Sequence, residues 1–464
     1  MKKSVSFFCL AITASTCLPA QNAQQSWDSI KSAAMPVVHP AFQNEYDAPY
    51  RQPLADYGWE DGLQISPDGL NLYALYSPMD LLSRTSFVVS NPGLPFCEGL
   101  ANMSFIRPYA NSYGMDLTTN PFGCDSFFNI DILYAHRNTQ NESFTNWQLS
   151  GIARPALIEG GPAPLFSESD PNLVDLFIFS GNGDLSMIKN TSANPSGIEN
   201  AIRLPTPINP DSNEFIADNA FLERLNGDTI IMIYEKYTDP AERVFMYVLS
   251  TDTGNTWNTP QAILTINNSL GHIEHPCLYK DNDEQWWLYY SLDFTHIVRS
   301  RQTIAYNWDS WDTPEIIISK GNGLSIGEPT VARNGDISFS LAYVNTILND
   351  PKDRYDLDPW LLPHKTISAV KNYSNHKQRL QLNVFPNPAT EVINIAFDLL
   401  EPSRVSVEIV DMKGQKRQQF SEIEHHTGRN IRTFNVENLP DGAYYCIVKT
   451  DRYTGQQFFL KHRF

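Results

Sequence analysis

The chain is 464 residues long, with 52 acidic against 34 basic side chains and a formal net charge of −18. That balance excludes a nucleic-acid partner, because phosphate binding rests on a basic footprint, and it fits a protein kept soluble by its charge. Aromatic residues make up 12% of the chain and Pro outnumbers Gly, 31 to 24, which points to a turn-rich all-β protein rather than a helical one.

Taken in chain order, Lys2 and Lys3 precede an apolar run from Val5 to about Cys17, and Leu18-Pro19-Ala20 offers a small residue for cleavage. Residues 1–20 read as a secretory signal peptide, too short for a permanent membrane helix. Ala14-Ser15-Thr16 is a poor lipoprotein signal ahead of Cys17, and no later stretch is long and apolar enough to be a transmembrane segment. Export makes the remaining cysteines potential disulfide partners. Cys97 and Cys124 share one irregular segment and are expected to pair, whereas Cys277 and Cys446 lie inside apolar strand patterns and read as buried thiols.

An internal repeat sets the fold expectation. Trp257-Asn258-Thr259-Pro260-Gln261-Ala262-Ile263 recurs as Trp311-Asp312-Thr313-Pro314-Glu315-Ile316-Ile317, and downstream of each stands an acidic residue in a strand, Glu274 or Glu328. Weaker copies centre on Trp59-Glu60-Asp61-Gly62, Gly161-Pro162-Ala163-Pro164 and Asp218-Asn219-Ala220-Phe221. From Asp61 through Gly161, Asp218, Glu274 and Glu328 the spacings are 100, 57, 56 and 54 residues. A period in the fifties made of short strands predicts β-propeller blades. The long first interval predicts a blade carrying an insertion at 78–127, with a sixth, degenerate blade as the alternative. The expectation is therefore a five-bladed β-propeller over 57–370, closed by an N-terminal segment, 21–56. Ser26-Trp27-Asp28-Ser29-Ile30 is the expected closing strand, because closure removes the exposed sheet edge.

Ser250-Thr251-Asp252-Thr253-Gly254-Asn255-Thr256-Trp257 fits Ser-x-Asp-x-Gly-x-Thr-Trp at every position and resembles the Asp-box of sialidase-like propellers. In such a turn Asp bonds local backbone, Gly takes a positive φ and Trp packs between sheets, so Ser250, Asp252, Gly254, Thr256 and Trp257 are given a structural role. Sialidases use an arginine triad, whose first member usually comes from a Phe-Arg-Ile-Pro motif. Phe105-Ile106-Arg107-Pro108 scrambles that motif inside the insertion, so the resemblance is to the fold and not to the chemistry.

The first strand of each propeller blade lines the central channel, so Asp61, Asp218, Glu274 and Glu328 are expected to converge at one end of it. Two carboxyls across a channel are the general acid and base of a glycosidase when their surroundings split their pKa values. The plainer reading is that these acids bond neighbouring strands or water. His272, Glu274 and His275 suggest a metal, but strand alternation turns His275 away from the other two, and no metal is expected. Trp286-Trp287-Leu288-Tyr289-Tyr290 reads as blade core before it reads as a sugar platform.

After an expected linker at 371–379, residues 380–464 open with Asn383-Val384-Phe385-Pro386-Asn387-Pro388-Ala389. They continue through Val405-Ser406-Val407-Glu408-Ile409-Val410 and Asp441-Gly442-Ala443-Tyr444-Tyr445, and end on Lys461-His462-Arg463-Phe464. Short alternating strands between Pro/Asn and Asp/Gly turns predict a small β-sandwich. The Phe-Pro-Asn-Pro opening, the Asp-Gly-x-Tyr strand and the basic last strand resemble the type A sorting domain of the Bacteroidetes type IX secretion system. That resemblance implies a secreted or cell-surface protein handled by this machinery. The propeller is then expected to be a glycan-binding or interaction module without cofactor; the alternative is a glycoside hydrolase using the channel acids.

Overall fold

The computed structural model describes residues 23–53, 58–83, 113–117, 129–154, 158–181, 184–211, 214–238, 242–268, 271–346, 354–365, 378–379, 382–399, 402–411, 415–425, 428–450 and 453–462. Strand accounts for 55% of the structure and helix for 6%, so the protein is all-β. The chain divides into two compact units, Met1–Lys365 and Thr366–Phe464.

In the first unit antiparallel strand quartets follow one another along the chain. Trp59–Ile65, Asn71–Ser77, Asp131–His136 and Gln148–Leu149 form the first, and Gly160–Phe166, Leu173–Gly181, Asp184–Ser192 and Ile202–Arg203 the second. Ile216–Asn226, Thr229–Tyr237, Val244–Ser250 and Gln261–Ala262 form the third. Ile273–Lys280, Trp286–Leu292, His296–Arg301 and Glu315–Ser319 form the fourth. Ser325–Val331, Ile337–Val344 and Tyr355–Leu362 begin a fifth. The first strands of successive quartets are neighbours, and the strand Ser325–Val331 lies back against Trp59–Ile65, so these inner strands close a propeller-like ring. A single parallel pairing, Leu357 with Trp59, joins the last quartet to the first.

Sequence explains the layering. Second strands such as Thr229–Tyr237 are β-branched and aromatic almost throughout, and they are buried on both faces between adjacent sheets. Two tryptophans wedge this packing. Trp147 and Trp311 are buried, each donating its indole N–H to the carbonyl three residues earlier, Phe144 at 3.0 Å and Trp308 at 2.6 Å. Trp286, Tyr289 and Tyr290 are likewise core residues, and the sugar-platform reading falls with them.

The N-terminal segment differs from the expected closing strand. Ala23–Ala33 is a helix, not a strand, because Trp27, Ile30, Lys31 and Ala34 fall on one helical face. Trp27 is fully buried among residues of the fourth and fifth quartets, and Lys31 reaches Asp356 and Asp358, each at 2.7 Å. The strands come later: Val37–Val38 adds to Glu315–Ser319, and Tyr50–Arg51 pairs with Trp360–Leu361 as the outer strand of the fifth quartet.

The second unit holds a sheet ordered Gln378–Arg379, Tyr453–Lys461, Gly442–Lys449, Ser403–Asp411 and Lys416–His425, and another ordered Leu382–Phe385, Val392–Leu399 and Gly428–Asn435. Val384, Ile393, Ile395, Val405, Ile409 and Phe459 from both sheets share one apolar core. Gln378–Arg379, expected as linker, is a strand of this unit. Cys277 and Cys446 are buried free thiols. Cys97, Cys124 and the Phe105–Pro108 motif lie outside the described residues.

Candidate functional site

Every inner strand carries a β-bulge near its start. Pairing with the second strand breaks between Asp61 and Gln64, Gly160 and Ala163, Asp218 and Phe221, Glu274 and Cys277, and Gly327 and Thr330. One residue in each bulge has a left-handed backbone: Gly62 (φ 59°), Gly161 (51°), Asn219 (45°), His275 (56°) and Glu328 (60°). A bulge sets two residues of one strand against one of its partner and re-aims their side chains. It also corrects the repeat. Asp61, Gly160, Asp218, Glu274 and Gly327 are the equivalent positions, and Glu328 stands one residue later, on the bulge itself. The same bend brings His275 beside Glu274, where strict alternation would have turned it away. Left-handed backbone at a non-glycine residue costs roughly 1–2 kcal/mol, and such strain concentrates at functional sites.

These strand ends surround one cavity of about 390 Å³, onto which Asp61, Asp218, Glu274 and Glu328 all open. Its wall is apolar, with Trp59, Leu75, Phe215 and Phe294 among the lining residues. Asp61 is 8% exposed, and its Oδ2 accepts the Trp59 indole N–H at 2.7 Å. Burial pushes its pKa up to about 7, and the nearby charges of Asp218 and Glu274 add to that rise. Asp218 accepts the Asn219 N–H at 2.9 Å and the Tyr237 hydroxyl at 3.4 Å, and burial raises its pKa. Burial likewise holds Glu328 well above the usual carboxyl range, with Asp61 as the principal charged neighbour. Burial therefore favours the protonated form of Glu328.

Glu274 is paired instead. Its Oε1 lies 2.6 Å from Arg243 Nε and 2.9 Å from His272 Nε2. Arg243 also bonds Glu235, and its guanidinium lies over the Tyr237 ring, 4.4 Å from the centroid. Glu235, fully buried, accepts the His275 backbone N–H at 2.6 Å and so ties the fourth-quartet bulge to the third quartet. His275 stands 3.2 Å from Glu328 and 3.8 Å from Glu274. Burial lowers its pKa to about 4, so it is neutral between them. The cation facing Glu274 is the guanidinium of Arg243.

The sequence reasoning missed Glu235 and Tyr237, which come from the second strand of their sheet, and Arg243, which immediately precedes the third. The available signal was a glutamate in an otherwise apolar strand, Ile230-Ile231-Met232-Ile233-Tyr234-Glu235. Away from the cavity, Asp252 Oδ1 accepts the Ser250 hydroxyl and the Thr256 N–H, both at 2.8 Å. Its Oδ2 accepts the Thr256 hydroxyl at 2.7 Å, and Gly254 has φ 73°, giving a tightly bonded turn. These bonds, the one from the Thr256 side chain first, lower the Asp252 pKa to about 2.

Residues 383–461 match a family described as the secretion system C-terminal sorting domain. No curated protein matches the chain. Among solved structures it is similar to an alpha-L-arabinofuranosidase from Podospora anserina, with TM-score 0.40 and 9% identity over 69% of this chain and 98% of that one. It is also similar to an exo-beta-1,3-galactanase from Phanerochaete chrysosporium, with TM-score 0.38 and 8% identity over 89% and 99%. A third is a protein of unknown function from Dyadobacter fermentans, with TM-score 0.38 and 9% identity over 69% and 99%. None of these likenesses assigns a residue its role. The sorting-domain match marks the chain for export to the cell surface or beyond, and among the described residues no helix is long and apolar enough to cross a membrane.

Proposed function

We propose that the chain is an exported glycoside hydrolase: a five-bladed, sialidase-like propeller acting on a sugar held in the central cavity, followed by a type IX sorting sandwich. Ser250–Trp257 serves as its Asp-box. The observation that carries this reading is the convergence of four carboxyls on one open cavity, with Glu274 paired to the Arg243 guanidinium and Glu328 raised in pKa by burial. Glu328, whose protonated form burial favours, gives its proton to the departing glycosidic oxygen. Glu274, paired with the Arg243 guanidinium, stabilises the positive charge that develops on the sugar ring. A cavity of about 390 Å³ falls in the range of small-ligand sites and admits one or two sugar units.

The test is release of reducing ends from a polysaccharide panel by the purified protein and by Glu328→Gln and Glu274→Gln, with folding checked by thermal melting. Loss of turnover in both folded variants supports the assignment; turnover that survives Glu328→Gln refutes it. A binding module without chemistry is the second reading, favoured by the structural bonds some acids make: Asp61 to the Trp59 indole, and Glu328 to the Leu63 N–H at 3.4 Å. It predicts retention of a glycan with no new reducing ends from any substrate.

A further inference from the structure

Two groups of buried carboxyls in the first unit are answered by the chain's own cations. Lys31 stands 2.7 Å from both Asp356 and Asp358, and Arg243 joins Glu235 to Glu274. Asp131 and Glu159 are treated differently. Asp131 opens the third strand of the first quartet, and Glu159 immediately precedes the inner strand of the second, its N–H bonded to the Ile130 carbonyl at 3.0 Å. The two carboxyls meet between the sheets. Asn129 joins them, with Nδ2 3.3 Å from Asp131 Oδ2. Asp131 is 2% exposed, and Glu159 and Asn129 are fully buried. Asp131 Oδ1, both Glu159 oxygens and Asn129 Oδ1 have no hydrogen-bond donor. The basic residue acting on Glu159 is Arg154, whose guanidinium bonds Glu199 at 3.0 Å on the surface. The Arg154 backbone N–H faces Glu159 without reaching hydrogen-bond geometry.

We propose that Asp131, Glu159 and Asn129 hold a calcium ion that pins the first sheet to the second. This site is independent of the hydrolase reading. The competing arrangement is a proton shared by the two carboxyls, and burial does raise the pKa of both. One proton joins two oxygens, however, and leaves the other Glu159 oxygen and Asn129 Oδ1 buried without a donor, which folded proteins rarely tolerate. A divalent cation meets all four oxygens and balances both charges. Asn129 is the independent witness, because a neutral amide gains nothing from a proton between its neighbours. A half-turn of that amide exchanges Nδ2 for Oδ1 and turns a carbonyl oxygen, an ordinary calcium ligand, toward the carboxyls. An all-oxygen donor set suits a hard cation over zinc. Magnesium usually keeps several waters, which a site this closed to solvent disfavours, whereas calcium accepts irregular protein cages.

The ion would hold, not react. Ile130, Ile158 and Gly160, each next in sequence to one of these carboxyl residues, line the central cavity. A cation behind them fixes the wall from which the Gly160-Gly161 bulge projects.

The experiment strips the purified full chain with EDTA, removes the chelator by dialysis, and measures bound calcium at equilibrium. Melting temperature is then read in calcium, magnesium or sodium chloride of equal ionic strength. The wild type should bind one more calcium than Glu159→Gln. Calcium at about a hundred times its Kd should raise the wild-type melting temperature by about 5 °C, and magnesium by less than half of that. Glu159→Gln should melt no lower than the stripped wild type, because one of two facing carboxyls is gone, and it should ignore calcium. Asn129→Ala keeps both carboxyls and should bind calcium at least about tenfold more weakly. A wild type that binds no calcium holds a shared proton instead, and the proposal is overturned. Calcium bound equally by wild type and both variants lies elsewhere and overturns it as well. Should Glu159→Gln fail to fold, unweakened binding in Asn129→Ala alone overturns it. None of these readouts involves sugar cleavage, so the hydrolase reading stands or falls separately.

Discussion

Arg243→Met tests the electrostatic frame of the cavity most directly. The Arg243 side chain is 7% exposed and joins Glu235 and Glu274, whose side chains are 0% and 4% exposed. Methionine keeps most of the volume and removes the charge, leaving two buried carboxylates facing each other. Breaking a buried ion pair from one side costs about 3–5 kcal/mol. The loss should also depend on pH in a definite direction. Without the cation both carboxyls titrate higher in the folded variant than in its unfolded chain, so the folded variant binds more protons. Its stability relative to wild type therefore recovers as pH falls toward the ordinary carboxyl range. Between pH 7.5 and pH 5 the deficit should shrink by at least about 1.4 kcal/mol, the worth of one pKa unit. Urea unfolding followed by tryptophan fluorescence isolates the relevant unit, since all nine tryptophans precede Lys365. Adding Glu235→Gln to Arg243→Met should recover part of the loss. A deficit under about 1 kcal/mol, or one equal at both pH values, refutes the reasoning.

Other measurements bear on separate parts of the molecule. Asp61 and Glu328 have raised pKa values in the folded state, so their contribution opposes folding increasingly as pH climbs from the unfolded carboxyl range. The melting temperature should accordingly fall from pH 5 to pH 8, and Asp61→Asn or Glu328→Gln should flatten that slope. Gly321 has φ 56°, and a Cβ there would lie 2.0 Å from the Met35 carbonyl oxygen. Gly321→Ala should thus cost about 2 kcal/mol or more and expose the N-terminal segment to protease; a variant cleaved no faster than wild type contradicts this. Deleting residues 380–464 should stop delivery to the cell surface or medium, and normal levels of truncated protein outside intact cells would refute the sorting assignment. Peptide mapping without reductant should recover Cys97 linked to Cys124, whereas two free thiols would dismiss the bridge.

How far the sequence carried depends on which interactions wrote themselves into it. The Trp-x-Thr-Pro repeat was visible because each copy is a local wedge that its own blade needs. The sorting unit was visible because its turns and termini are short and contiguous. The convergence of Asp61, Asp218 and Glu274 followed from propeller geometry, with their equivalence carried by spacing alone. Spacing failed by one residue at Glu328, since a bulge inserts a residue without leaving a sequence mark when its occupant is not glycine. Gly62 and Gly161 betray the bulge, but Asn219, His275 and Glu328 hide it. The helix over Ala23–Ala33 was misread because the match of Trp27-Asp28 to the repeat outweighed the four-residue spacing of its buried face. Arg243 and Glu235 escaped notice because their pairing is between strands and reaches across to the next blade.

The ion pair between Lys31 and Asp358 spans 327 positions of sequence, and Tyr50–Arg51 meets its partner strand only at Trp360–Leu361. Bringing such distant segments together costs chain entropy that grows as the logarithm of the loop, about 5 kcal/mol for a few hundred residues. Ring closure therefore needs segments from both ends of this unit. The N-terminal helix and the strand Tyr50–Arg51 meet these partners only when the chain through Leu362 is present. Until then Asp356 and Asp358 have no lysine, and the first and last sheets show open edges. Ring closure thus ties the N-terminal segment to the presence of the last sheet.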